Sequence, residues 1–187
     1  MNSDFRIRRV GPNEASTCVD ELTNVLLDCV EGGASVSFML PLSREKATAF
    51  WRGVTDGVSR EERALLIAEN EAGRIVGTVQ LVLLQPENQP HRADVAKLLV
   101  HSDARKRGVA QGLMQMVDEV ARAEGKTVLV LDTVTGGVAE SLYDRCGWQR
   151  VGCVPNYALM PDGALCGTTF FHKQLAISGL CGAGVGA

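Results

Sequence analysis

The sequence lacks long apolar runs and any excess of basic residues. Its 187 residues carry a formal net charge of −3, so it does not produce the positive field with which nucleic-acid-binding proteins attract phosphates. No stretch approaches the roughly 20 apolar residues that span a bilayer. The charged opening, Asp4 to Arg9, is unlike a secretion signal. We therefore expect a cytoplasmic protein whose partners include neither nucleic acid nor a membrane.

The cysteines lack the spacing of a metal site. They lie at positions 18, 29, 146, 153, 166 and 181, and no two of them form a C-x-x-C pair. Structural zinc sites usually combine such pairs with further cysteines or histidines at short spacing. We expect reduced thiols, most of them small apolar residues of the core, and no metal.

The length and the apolar content fit one domain. Nearly half of the residues, 45%, are hydrophobic, which is enough for a substantial core in a chain of this size. We expect a single domain over residues 1–177. The glycine-rich, nearly uncharged residues 178–187 are expected to form a flexible C-terminal tail.

The hydrophobic pattern changes repeatedly between the periods of strands and helices. A strand at 5–10 is followed by two amphipathic helices, the first from Pro12 to Gly32-Gly33 and the second capped by Ser43. Further strands are predicted at 64–69, 74–84, 92–100, 127–132, 148–153 and 168–175, with helices at about 108–124 and 139–146. This order predicts an α/β domain in which a mixed central sheet of about seven strands is flanked by about four helices.

Two of these strands carry more specific expectations. The two-residue period of a strand would place Asp94, Ala96, Leu98 and Val100 on one face. The almost continuous apolar run from Thr127 to Asp132 predicts a strand that is buried on both faces, as parallel and central strands usually are.

The segment from Leu98 to Ala110 combines a strand, a basic loop and the start of a helix. Unpaired N–H groups and the helix dipole favour an anion at a helix N-terminus, and small residues let a phosphate approach the backbone. The small residues here are Gly108 and Ala110, and the charged ones are Arg105, Lys106 and Arg107. An ordinary strand-to-helix turn with a solvated basic run is the alternative. A P-loop is excluded, because no Gly-Lys-Ser or Gly-Lys-Thr follows, and a dinucleotide fingerprint would need more glycines.

Two motifs together resemble those of a known family. Arg105-x-x-Gly108-x-Ala110 resembles the acetyl-CoA motif of the GCN5-related N-acetyltransferase superfamily, and the segment Ala139 to Trp148 resembles the one that carries its catalytic tyrosine. The order of elements over 5–175 is also similar to the α+β fold of that family. Within the family, the chain most resembles the tabtoxin-resistance-type acetyltransferases, through residues 32–39, 131–133, 138–140 and 161–163. Gly136 departs from the pattern, because family members often have asparagine there.

This resemblance implies acetyl-CoA as co-substrate and direct attack by an amine in a complex of both substrates. The backbone of Leu98, Leu99 and Val100 would pair with the pantetheine arm, and the Val100 N–H could hold the thioester oxygen. The pyrophosphate would be held by Arg105, Lys106, Arg107, Gly108, Val109 and Ala110.

Three side chains are candidates for proton transfer. Tyr143 would donate a proton to the departing thiolate of CoA, or it is a core aromatic. Asp94 is the first candidate for the base that deprotonates the amine, because it lies on the strand of the cofactor contacts. Asp132 is the second, and could instead orient the amine by its charge. Either carboxylate could also be a solvated or helix-capping group.

The acceptor predicted from the resemblance is a small amine, such as an amino-acid-like antibiotic, with the loop Gly32 to Met39 as a wall of its site. Two alternatives stay open: a protein acetyltransferase acting on lysine or an N-terminus, and an acetyl-CoA sensor without activity. The family resemblance also implies that two copies can pair as a homodimer.

Overall fold

The computed structural model describes residues 5–176, so the predicted tail at 178–187 and Cys181 lie outside the described residues. Its strands are β1 (Phe5–Arg9), β2 (Arg63–Asn70), β3 (Ile75–Val82), β4 (Arg92–Val100), β5 (Val128–Val134), β6 (Gln149–Leu159) and β7 (Leu165–Gln174). Its α-helices are α1 (Val19–Glu31), α2 (Arg44–Ser59), α3 (Val109–Ala123) and α4 (Val138–Arg145). The predicted class is confirmed: one domain with a seven-stranded mixed sheet and four α-helices over the described residues.

The strands form one sheet in the order β1-β2-β3-β4-β5-β7-β6. Every neighbouring pair is antiparallel except β4 and β5, which are parallel. Parallel neighbours require a crossover connection, and α3 supplies it. None of the helices within the described residues is long and apolar enough to cross a membrane.

The sheet lies between two layers of helices. Side chains of β2 alternate, so that Leu65 and Ile67 pack with α1 and α2, while Leu66 and Ala68 pack with α3. We call these two sides of the sheet the α2 face and the α3 face. The helices begin and end where local chemistry favours it: the Ser43 hydroxyl accepts from the Lys46 N–H and caps α2. The predicted first helix begins as a 3₁₀ turn, Ala15–Cys18, and becomes α-helical at Val19.

A β-bulge divides β4 into two halves. Thr78 of β3 pairs with Leu99 and Gln80 pairs with Ala96, so Val79 stands opposite two residues of β4. One of them, Lys97, has a left-handed backbone with φ 55°. The bulge shifts the alternation of side chains by one residue, and the single face predicted for residues 94, 96, 98 and 100 is therefore wrong. Leu98 and Val100 pack on the α3 face with Ala93 and Val95, whereas Asp94 and Ala96 lie on the α2 face.

Strand β5 is buried on one face only, which contradicts the prediction from its apolar sequence. Leu129 and Leu131 are buried in the core of the α3 face, but Asp132 is exposed. The reason lies in the helical layer, because the main contacts of α1 and α2 are with β2, β3 and β4. The α2 face of β5 is consequently open to ligands.

Strand β6 is longer than predicted. Pro155 and Asn156 indicate a break in the sequence, but β6 lies at the edge of the sheet and continues through a bulge between Val154 and Ala158. Asn156 has φ 52° within it. An edge strand tolerates proline because its outer N–H groups need no partner.

Candidate active site

Strands β4 and β5 separate after a short paired segment. Arg92–Asp94 pairs with Val128–Val130, and beyond these residues the two strands no longer pair with each other. Each remains bonded on its other side, β4 to β3 as far as Val100 and β5 to β7 as far as Val134. We call the resulting gap the β4–β5 opening. Along the edges of the opening, the backbone N–H and C=O groups of β4 and β5 form no hydrogen bonds between these two strands. An extended ligand can pair with such groups like an added strand.

The predicted phosphate turn ends in an α-helix without a side-chain cap. Gly108 is the N-cap of α3 with φ 86°, and no side chain accepts from the first N–H groups of the helix. A Cβ placed on Gly108 would meet nothing within 4 Å, so the space beside this turn is open. Free N–H groups, the positive end of the helix dipole and open space together suit an anion.

The basic side chains of this turn have different surroundings. The Arg105 guanidinium folds back, with Nε donating to the Val100 carbonyl at 3.0 Å and Nη2 lying 3.4 Å from an Asp28 oxygen. Arg107 lies over the Phe5 ring at 4.6 Å, and Lys106 is exposed. Arg105 is therefore engaged in holding the shape of the turn, and the N–H groups at the start of α3 are the donors that remain without a side-chain cap.

Asp28 anchors the turn to α1. Its carboxylate accepts from the Ser102 N–H at 2.8 Å and from the Ser102 hydroxyl at 2.6 Å. Burial by itself raises the pKa of Asp28, but these hydrogen bonds and the nearby charges of His101 and Arg105 outweigh it and lower the pKa. The ionised form is thus the one that the fold stabilises.

Tyr143 lies on α4 at the α3 face. The residue is 6% exposed, and its ring packs against Trp148 and Phe171, with ring centroids 6.1 and 5.6 Å away. Burial, with a smaller effect of the Asp132 charge, raises the pKa of Tyr143 to about 12. Its hydroxyl has no hydrogen-bond partner among residues 5–176. The phenol therefore keeps its proton at neutral pH and has it available for donation.

Asp132 lies on β5, and its side chain is on the α2 face, opposite to the face of Tyr143. The reason is that its neighbour Leu131 faces the core of the α3 face, and successive side chains of a strand alternate. Although the residue is exposed, surrounding protein atoms desolvate the carboxylate and raise its pKa. The Lys97 charge opposes this effect and the Asp94 charge adds to it. No side chain within residues 5–176 donates a hydrogen bond to Asp132. Phe170 pairs with it on β7 and contacts Tyr157 edge to face at 5.6 Å.

Asp94, the other candidate base, is already engaged. One carboxylate oxygen pairs with the Arg92 guanidinium and the other accepts from the Gln85 amide at 3.1 Å. Arg92 is held in turn by Gln85 and Gln89. Asp94 shares the α2 face with Asp132, but its two oxygens belong to a local network at the start of β4.

The loop from Gly32 to Met39 closes one side of the α2 face. The Ser35 hydroxyl donates to the Leu159 carbonyl at 3.0 Å, and the Leu40 N–H donates to the Pro161 carbonyl at 2.9 Å. These bonds hold the loop against the turn between β6 and β7. Gly136, where the family pattern has asparagine, has φ 74°, a conformation that asparagine tolerates better than most residues.

Sequence reasoning missed three polar residues of the α2 face: Arg63, Gln80 and Lys97. Their side chains form a cluster described below. A lysine that interrupts the apolar run from Val95 to Val100 was the signal for Lys97, but only the bulge determines the face on which it lies. No group of three or more histidine, cysteine or acidic side chains that could hold a metal occurs within the described part of the chain.

Comparisons with known proteins identify relatives of this chain by sequence and by fold. An uncharacterised N-acetyltransferase encoded in the hisH-hisA intergenic region of Azospirillum brasilense is 34% identical over 132 residues, which cover 70% of this chain and 76% of that protein. The yncA structure from Salmonella typhimurium, solved with its cofactor acetyl-CoA, has a TM-score of 0.74 at 17% identity and covers 97% of this chain and 99% of its own.

A structure of ribosomal-protein-alanine N-acetyltransferase from Brucella melitensis has a TM-score of 0.73 at 22% identity, with 91% and 99% of the two chains covered. At these identities the two structures show a shared fold. The family itself is shown by the sequence, because residues 30–148, more than half of the chain, match the family model described as Acetyltransferase (GNAT) family. The chain therefore belongs to the GNAT family and is an N-acetyltransferase, a family whose members use acetyl-CoA.

Proposed function

We propose that this protein transfers the acetyl group of acetyl-CoA to the amine of a small molecule by direct attack in a complex of both substrates. The observation that carries the proposal is the arrangement beside the β4–β5 opening. Tyr143 lies on the α3 face, Asp132 lies on the α2 face, and the sheet is open between β4 and β5. A thioester and an amine that enter from the two faces can meet there.

The chain fits acetyl-CoA at two places. The uncapped start of α3 and the turn from Arg105 to Ala110 would hold the pyrophosphate, and the backbone of Leu98 to Val100 would pair with the pantetheine arm. When bound, acetyl-CoA supplies the activated acetyl group as a thioester. The protein contributes position, charge and two proton-transfer groups.

Asp132 is the stronger candidate for the group that receives the amine. Its carboxylate has no competing side-chain donor in the described chain, whereas Asp94 is held by Arg92 and Gln85. A raised pKa also suits the exchange of a proton near neutral pH better than the ordinary value does. Asp132 would orient the ammonium and accept its proton, and Tyr143 would protonate the departing thiolate.

A small acceptor is favoured over a protein by the loop from Gly32 to Met39, because it walls the α2 face and is tied to the β6–β7 turn. The amino-acid-like antibiotics acetylated by tabtoxin-resistance-type enzymes belong to the class of acceptor proposed here. A protein acceptor would need space for a chain on both sides of the reactive amine. Acetylation of a lysine or an N-terminus remains the competing function.

The test is CoA release on mixing the protein with acetyl-CoA and a panel of small amines, amino acids, aminoglycosides and peptides. Thiol release that depends on a small amine supports the proposal. Turnover with peptides alone would make the protein a protein acetyltransferase, and acetyl-CoA binding without release would make it a sensor. Failure to bind acetyl-CoA would overturn the proposal altogether.

Two expectations from the sequence stay predictions. Sedimentation analysis tests whether two copies pair as a homodimer, and fractionation of the source cells tests the cytoplasmic location.

A further inference from the structure

A cluster of hydrogen-bond donors lies on the α2 face beside the proposed acceptor site. Arg63, Gln80 and Lys97 come from three neighbouring strands, and their sequence neighbours Ala64, Val79 and Leu81 face the opposite core. The Arg63 Nη1 donates to the Gln80 Oε1 at 2.9 Å, and the Arg63 charge acts on Lys97. We call these three residues the donor cluster.

The donor cluster has more donors than acceptors. The Nε of Arg63 and the Nε2 of Gln80 are buried without a hydrogen-bond partner in the described chain, and Gln80 is 1% exposed. Lys97 Nζ donates to the Ser37 hydroxyl at 3.1 Å and lies 5.8 Å from the centre of the Phe50 ring. An ammonium carries three donors, and among residues 5–176 no carboxylate forms an ion pair with it.

Such an arrangement costs folding free energy. Buried donors without partners and two like charges close together are both unfavourable. The protein nevertheless makes room for the cluster: a Cβ on Gly57 of α2 would lie 2.8 Å from the Arg63 Nε. The left-handed backbone of Lys97, which most residues avoid, directs its side chain to this face. Strain and unpaired donors of this kind are expected where a ligand supplies the missing acceptor.

We infer that the donor cluster binds a carboxylate of the acceptor, so that the preferred substrates are amino acids, with Lys97 as the residue that selects them. This inference rests on the proposed function, because it places the acceptor amine at Asp132. Asp132 and Lys97 interact across the α2 face. One favours a positive group and the other a negative group, as a zwitterion requires. Phe50 and the Ser37 hydroxyl complete the surroundings of the carboxylate.

The experiment compares matched acceptors that differ only in the carboxylate. We would measure kcat/KM for a set of amino acids, for their amides and for the amines that lack the carboxyl group, with acetyl-CoA in excess. The wild-type protein is expected to prefer the amino acid by roughly 10- to 150-fold, because one hydrogen-bonded charge pair is worth roughly 1.5–3 kcal/mol and about 1.4 kcal/mol corresponds to a factor of ten. The difference is expected mainly in KM.

Three variants locate the effect. Lys97→Gln is expected to abolish most of the preference for the amino acid, measured as the ratio of kcat/KM for the amino acid to kcat/KM for the matched amine. The ratio is the readout because loss of the Lys97 charge also acts on Asp132 and changes the rates with both acceptors. Lys97→Arg is expected to retain much of the preference. Arg52→Gln removes the same charge from an exposed position of α2 and is expected to leave the preference unchanged.

The outcomes separate this inference from the function on which it rests. Acetylation of small amines without regard to a carboxylate, or a preference that survives Lys97→Gln, would overturn the inference alone. Absence of turnover with every small amine would overturn the proposed function as well. If Lys97→Gln does not fold, Gln80→Leu provides a second test, because loss of a supporting donor should weaken the same preference.

Discussion

Asp132 and Tyr143 lie on opposite faces of the sheet beside one strand, and the Asp132 charge contributes to the raised pKa of the Tyr143 phenol. A strand alone cannot connect its two faces. The connection is made by the β4–β5 opening, which begins immediately after Asp94 and Val130. The proposed site is thus a passage through the sheet, with the Tyr143 phenol on one side and the Asp132 carboxylate on the other.

Replacing Tyr143 by phenylalanine should lower kcat by about 100-fold or more, because general acid catalysis contributes 10²–10⁴-fold. The affinity for acetyl-CoA should not change. Phenylalanine keeps the ring contacts with Trp148 and Phe171, so the free energy of unfolding should change by less than about 1 kcal/mol. Steady-state kinetics measures kcat, a binding titration measures the affinity for acetyl-CoA, and thermal denaturation measures the free energy of unfolding. An unchanged kcat would make Tyr143 a core residue.

The two candidate bases should differ in the pH dependence of the rate. The pKa of Asp132 is raised, so its protonation should produce an acidic limb in the kcat/KM profile that lies above the ordinary aspartate range. Asp132→Asn should remove this limb and lower the rate by about 100-fold.

Asp94→Asn is the matched control for that experiment. It should keep the acidic limb, and the rate should stay within about threefold because the carboxylate that is lost pairs with Arg92. If Asp94→Asn removes the limb instead, Asp94 is the base, and the Arg92 network must open when the substrates bind.

Gly108→Ala should destabilise the fold and weaken acetyl-CoA binding together. A left-handed backbone with φ 86° costs about 1–2 kcal/mol for a residue with a Cβ, and relaxation of that strain would move the N–H groups that hold the anion. Gly53→Ala is the control, because Gly53 is a helical position where a Cβ meets nothing within 4 Å. It should stabilise by about 0.5–1 kcal/mol and leave binding unchanged. Equal effects of the two variants would argue against an anion site at Gly108.

Lys97→Met should stabilise the protein at neutral pH while reducing its activity toward amino acids. Burial lowers the pKa of Lys97, which means that the folded state disfavours the charged form. For a base whose pKa is lowered on folding, the stabilising contribution is present above the unfolded pKa and is lost as pH falls through the folded value.

The difference in melting temperature between Lys97→Met and the wild type should therefore be largest near pH 7 and shrink toward pH 10. Thermal denaturation at several pH values measures it. A variant that is less stable than the wild type at every pH would show that Lys97 serves the fold rather than the acceptor.

Local chemistry made the layout of the fold predictable. Glycine pairs, helix caps and hydrophobic periods identified the seven strands and four α-helices of residues 5–176. The short 3₁₀ helix Ser102–Ala104 was not predicted. The turn at Gly108 has the left-handed conformation that its glycine indicated. The failures concern relations between elements. The apolar sequence of β5 suits burial on both faces. One face is nevertheless open, because α1 and α2 pack mainly against β2, β3 and β4.

The candidate site was predictable in part for the same reason. The sequence suggested Tyr143, Asp94 and Asp132 as proton-transfer groups, but it did not show that Arg92 and Gln85 engage Asp94. Nor could a strand pattern reveal that Lys97, Arg63 and Gln80 meet on one face. The clustering of these three side chains depends on the register of the strands and on the bulge in β4, and both are determined by how the strands pair in the folded protein.

The extra residue at the bulge of β4 is also the one that carries the ammonium of the donor cluster. Deletion of residue 97 would leave Ala96 and residues 98–100 opposite consecutive residues of β3, so the ladder would become regular and the residues after the bulge would keep their present faces. The sheet and the backbone beside the opening would be retained, and the charge that acts on Asp132 would be lost. A chain shortened by this one residue should therefore still fold, and it would separate what the bulge does for a ligand from what it does for the sheet.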